Sequence, residues 1–169
     1  MAETLGASHL AGAGWELQRT NNFEISIEGI GETERLLTLS VVSGALPSES
    51  NEVMEVQYGN SRIKVAGNYS IDSGSLTIRD FIQKDVEKLI EDWRATVYNK
   101  DTDGVGFAAD YKKQARIIQF APDGTHERTW KIEGVWPSAV RYGNLDNTSS
   151  GLKQIEITLE YDKARIVRN

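Results

Sequence analysis

Residues 109–136 read ADYKKQARIIQFAPDGTHERTWKIEGVW. Ala109 to Phe120 is one strand-like run, Pro122-Asp123-Gly124 is a tight turn, and His126 to Trp136 runs back, which predicts a β-hairpin. On the returning arm Trp130, Ile132, Gly134 and Trp136 share one face of a period-two pattern. The same beat recurs outward in both directions. Towards the start, Phe23, Ile25 and Ile27 alternate with Glu24, Ser26 and Glu28, and Leu37, Leu39 and Val41 alternate with Thr38 and Ser40. In the middle, Ile63 and Val65 alternate with Arg62 and Lys64, and Leu76 and Ile78 with Thr77 and Arg79; near the end, Ile155, Ile157, Leu159 and Tyr161 alternate with Glu156, Thr158 and Glu160. Such alternation marks strands with one face on a core and one in water.

One segment breaks the beat. Asp80 stands as a helix N-cap with Gln83 three residues on, and Phe81, Val86, Leu89, Ile90, Trp93 and Val97 form a stripe at helical spacing. With no strand–helix–strand alternation, the pattern predicts an α+β, mainly β fold: an antiparallel β-sandwich or partial barrel with one flanking helix over about 80–98. Between Ala45 and Asn60, ALPSESNEVMEVQYGN is turn-prone at first and strand-like later, and it sets Leu46, Met54, Val56 and Tyr58 among Glu49, Glu52 and Glu55. A long hairpin there exposes apolar side chains in a lone subunit and buries them on a neighbour.

The 169 residues suit a single domain, expected as an arm over 1–14, a β core over 15–162 and a tail over 163–169. Residues 1–60 hold nine acids, all glutamate, against Arg19 and Arg35; residues 61–169 hold seventeen bases against sixteen acids. The net charge of −6 is the wrong sign for a protein that grips phosphates. There is no cysteine, hence no disulfide frame or thiolate metal site. No basic, apolar leader opens the chain and no apolar run reaches the roughly 20 residues of a membrane helix, so a soluble, unsecreted protein is expected.

The search for chemistry fails. His9 and His126 have no ligand neighbours at metal-binding spacing. Asp101-Thr102-Asp103-Gly104 opens like a calcium loop, but Val105 and Lys112 fall where oxygen ligands are needed. Gly104 and Gly106 follow a helix and form no phosphate cradle. Neither a catalytic site nor a cofactor is expected.

Several blocks, in order, resemble the tail tube proteins of T4-like contractile bacteriophages: Asn60 to Gly67, Asp92-Trp93, Asp110 to Ala115, Lys131 to Pro137 and Ile157 to Asp162. The resemblance implies a β-sandwich whose hairpin matches Ala45–Asn60, six copies joined into a ring around a β-barrel lumen, and rings stacked into a conduit for DNA. It implies self-assembly as the main partnership, with tail sheath, baseplate, tape measure and tail terminator proteins around it and DNA passing without specific binding. The expected location is the virion tail, after assembly in the host cytoplasm. Pyocin and type VI tubes share the architecture, so an inner tube of a bacterial injection machine stays open, as does a monomeric ligand-binding β-barrel. On this basis Leu46, Met54, Val56 and Tyr58 are candidate joint residues. Glu24, Glu28, Glu156 and Glu160 are candidates for an acidic lumen, and Lys163, Arg165 and Arg168 for a charged tail reaching between rings.

Overall fold

The computed structural model describes residues 17–30, 34–148 and 150–168; the expected arm over 1–14 lies outside them. In chain order the elements are β1 (Phe23–Glu28), α1 (Glu34–Ser40), β2 (Val41–Gly44), β3 (Glu49–Tyr58), β4 (Ser61–Ile71), β5 (Gly74–Arg79), α2 (Val86–Val97), β6 (Tyr98–Asn99), β7 (Gly104–Val105), α3 (Ala108–Tyr111), β8 (Lys113–Phe120), β9 (His126–Arg141), β10 (Gln154–Glu160) and β11 (Lys163–Arg168).

The predicted hairpin is β8 with β9, closed where Ala121 N–H donates to Thr125 O and Gly124 N–H to Ala121 O. The returning strand is longer than expected and serves two sheets. It pairs with β8 on one edge up to Val135 and with β11 on the other up to Glu133; from Trp136 it pairs with β10. The first sheet therefore runs β1-β8-β9-β11 and the second β9-β10-β5-β2, all pairs antiparallel. Their inner faces meet over one core: Ile25, Ile27, Ala115, Ile117 and Ile132 from the first, Leu76, Ile78, Ile155 and Ile157 from the second.

The hinge between the sheets is Gly134. The register skips from Gln114↔Glu133 to Lys113↔Val135, so Gly134 is a bulge at φ +73°. A side chain there would collide with the Asp162 carboxylate, and the left-handed backbone is one that L residues rarely adopt. The bulge shifts the alternation. Ile132, Val135 and Pro137 point inward, so Trp136 does not share the face of Trp130 and Ile132; its ring meets Tyr111 edge-on at 5.7 Å.

The helix begins later than expected. Asp85 caps α2, its Oδ1 accepting from Lys88 N–H at 2.8 Å. Asp80 instead accepts from Phe81 N–H and lies 3.5 Å from Lys153, and Phe81 is exposed outside the helix. Val86, Ile90, Trp93 and Val97 carry the stripe into the core. Two side chains fasten the helix to its neighbours: Trp93 Nε1–H donates to Tyr111 O at the end of α3 at 2.9 Å, and Arg94 Nη1–H to Pro137 O of β9 at 2.7 Å.

Two further expectations change. The Leu37–Val41 run is mostly helix: Leu37 and Ser40 are buried at helical spacing, Ser40 Oγ–H donates to Leu37 O, and Leu39 stands exposed. And Lys163–Arg168 is no tail but strand β11, paired along Arg128–Glu133 of β9.

Candidate functional site: the assembly surfaces

The most exposed ordered element is the ribbon β3–β4. It is longer than the expected 45–60 span, because the Ile63–Val65 run is its second arm. Every residue of β3 is exposed. Cross-strand partners share a face of a ribbon, and towards the tip the pairs here sort into an apolar and a charged side. One face carries Met54 opposite Val65 and Val56 opposite Ile63, with Tyr58 at the tip. The other carries Val53 opposite Ala66, then Glu55 opposite Lys64 and Gln57 opposite Arg62, with Glu55 3.4 Å from Arg62 and 3.5 Å from Lys64. A lone two-stranded hairpin is marginal in water, and one with a wholly apolar face gains most by covering it.

Met54, Val56 and Tyr58 thus share one side of the ribbon, together with Ile63 and Val65, whose alternation suits a core strand equally well. The signal was present: Gly59-Asn60 between two alternating runs is a two-residue hairpin turn. Leu46 is not on the ribbon. It lies in the lead-in, lining a groove of about 460 Å³ with Phe23, Val42 and Ile117, between the free edges of β1 and β2. The ribbon root is clamped: Asp72 N–H donates to Ser48 O at 3.1 Å and Ser48 Oγ–H to Asp72 Oδ2 at 2.9 Å. Beneath it the Tyr161 hydroxyl is buried, and that burial pushes its phenol above the ordinary tyrosine range.

The four glutamates do not form one surface. Glu24 and Glu28 lie on the outer face of the first sheet, Glu156 and Glu160 on that of the second, and the two outer faces point away from the shared core. Glu28 is ion-paired with Arg116; among the described residues no ion pair engages Glu24, Glu156 or Glu160. The first outer face is the more basic. Its middle row runs Ser26, Arg116, Lys131, Arg165 straight across four strands. The second outer face carries Ser43, Ser75, Thr77, Thr158 and Ala139, with Trp136, Gln154, Arg79, Arg141 and the two glutamates spaced among them. Of the expected tail, Lys163 and Arg165 lie on the first outer face, and Arg168 pairs with Arg128 at its end.

No cluster of metal-ligating side chains occurs among the described residues, and no helix there is long and apolar enough to cross a membrane. Residues 19–165 match the model of the T4-like virus tail tube protein gp19 family. The chain belongs to that family. It is a structural tail tube protein and not an enzyme. Over 150 residues it is 28% identical to tail tube protein gp19 of Enterobacteria phage T4, spanning 87% of this chain and 90% of the relative. Against the same protein of phage T6 it is 27% identical, with the same coverage. The fold is that of solved tube proteins. One chain of the sheath–tube complex of an extracellular contractile injection system superposes with a TM-score of 0.68 at 19% identity, covering 98% of this chain and 100% of that one. A sheath/tube terminator of such a system gives 0.73 at 20%, covering 91% and 99%. The SPP1 tail tube gives 0.59 at 14%, covering 90% and 80%.

Proposed function

We propose that copies of this tube protein close into hexameric rings, that the rings stack, and that the β3–β4 ribbon is the joint between subunits. The observation that carries this is the ribbon's apolar face, Met54, Val56, Tyr58, Ile63 and Val65, standing free of its own core. Covering five half-exposed apolar side chains contributes roughly 1 kcal/mol each before ordering costs. Seated on a different surface of its neighbour, the ribbon makes a heterologous, open-ended contact, as a tube requires. Assembly in the host cytoplasm then places the tube inside a sheath, on a baseplate and under a terminator, with a tape measure protein and later DNA within.

The conduit can be lined by only one outer face. The second sheet fits better: small hydroxyl groups, with Glu156 and Glu160 balancing Arg79 and Arg141, offer a polyanion little to hold, whereas the aligned bases of the first sheet would grip phosphates. Glu24 and Glu28 accordingly belong outside the lumen. In the second reading, an inner tube of a bacterial injection machine, the same lining would pass protein instead of DNA.

The test is to replace residues 49–71 by a short glycine–serine turn and view the purified protein by negative-stain microscopy. Discrete monomers are expected where the intact chain gives rings or tubes. Tubes from the shortened chain would show that the joint lies elsewhere.

A further inference from the structure

The Tyr161 hydroxyl is closed off from solvent, and its O–H finds no acceptor among the described residues. A buried donor left without a partner costs folding free energy. Its surroundings are the root of the ribbon. The ring lines a cavity of about 30 Å³ with Gly44, Ala45 and Pro47, where the chain runs towards the ribbon, and with Gly74 and Ser75, where it returns. Ala45 N–H donates to Ser75 O at 2.8 Å between these two passages, and a side chain on Gly74 would come within 3.3 Å of the Tyr161 ring. The other walls are core side chains, so a water there would lack the two to four partners it needs. Burial keeps the phenol protonated, and the nearby charges of Asp72 and Glu160 reinforce this, so the group stays a donor.

We propose that the ribbon root has two settings, and that assembly selects the one in which Tyr161 is bonded. In the first setting, that of the structure, Asp72 is engaged with Ser48: its N–H donates to Ser48 O and its carboxylate accepts from Ser48 Oγ–H. In the second, Asp72 releases Ser48 and its carboxylate accepts the Tyr161 O–H. The exchange is close to balanced. Ser48 and Asp72 are exposed, so water replaces what they lose, whereas Tyr161 is out of water's reach and gains a charged acceptor. Glu160 is the other anion at hand, but it belongs to β10 and does not move with the ribbon. A small shift at the root is large at the tip. Strand β3 has 10 residues, so the ribbon is roughly 34 Å long and a tilt of about 10° carries its tip roughly 6 Å. The inference rests on the ribbon being the joint between copies, and it adds the control: free copies keep the ribbon in the first setting until a growing end captures the second.

Two measurements test it. The Asp72 N–H is held only in the first setting, so its exchange with deuterium in the free subunit reads the population of the second. Tyr161→Phe should slow that exchange roughly tenfold, the factor that one hydrogen bond corresponds to, and Ser48→Ala should quicken it. The unfolding midpoint of Tyr161→Phe should not fall, because the hydroxyl bonds nothing in the first setting. In light scattering, Tyr161→Phe should lengthen the lag before tubes grow by a similar factor, and Ser48→Ala should shorten it. Exchange that Tyr161→Phe leaves unchanged or quickens would overturn the proposal. So would a lower unfolding midpoint, which would mean that the hydroxyl is already bonded, or an unaltered lag in a variant whose exchange has slowed. Exchange in free subunits decides the two settings whether or not rings form. Tubes from a chain lacking residues 49–71 would therefore count against the joint and not against the settings.

Discussion

Gly134 shows how much one residue decides here. Its positive φ and the Asp162 carboxylate over its Cα let β9 leave one sheet and enter the other, while Asp162 is held by Lys112 at 2.7 Å and by its own N–H on Glu133 O at 3.0 Å. Gly134→Ala should lower stability by about 1–3 kcal/mol through the strained backbone and the collision. In chemical denaturation, adding Asp162→Ala should restore part of the loss; no restoration would mean that only the backbone matters. At the helix start the discrimination is sharper. Asp85→Ala should cost about 1 kcal/mol as a lost cap, and Asp80→Ala clearly less, because Asp80 bonds the residue beside it and a half-exposed lysine. Thermal unfolding of the two variants separates them. A capping box was legible at Asp80 because the sequence has the right residues at the right offsets. What it lacks is the Phe81↔Lys84 bridge, which turns the chain once before the helix begins.

Among the elements, the ribbon and the helix follow opposite logics. The α2 stripe is buried by the subunit itself, so its residues set folding; the ribbon's apolar face is covered by nothing in the subunit, so its residues set association. Val56→Asp with Ile63→Asp should leave the far-ultraviolet dichroism and unfolding midpoint nearly unchanged, since exposed substitutions cost within about 0.5 kcal/mol. The same pair should abolish polymerisation in sedimentation. A large fall in the unfolding midpoint would place the ribbon in the subunit's own core. This joint was half legible. The β3 arm shows apolar residues among glutamates, but Arg62-Ile63-Lys64-Val65 reads as an ordinary core strand, because alternation records which side is apolar and not what lies against it. Strand β11 was missed for a related reason: KARIVR is short and basic, and the half-buried Ala164 is a small anchor, so its pairing to β9 comes from the partner strand more than from its own pattern.

For the whole molecule the decisive quantity is which outer face looks where. If the second sheet lines the conduit, Thr77→Lys with Glu156→Lys should leave tubes intact and slow DNA ejection, while Glu24→Lys in the first sheet should leave ejection unchanged. Single-particle ejection kinetics measure both, and the reverse result would exchange the roles of the two sheets. The sequence by itself determined the class of the fold, the main hairpin and the core stripe of the helix, because periodicity and residue chemistry are local properties. Only the tertiary structure decided that Glu24 and Glu28 face away from Glu156 and Glu160, that the basic end is a strand, and that Arg116, Lys131 and Arg165 stand in line. Each strand shows its own alternation, but which faces coincide depends on register and on the bulge at Gly134, and both are settled by pairing between residues far apart in the chain.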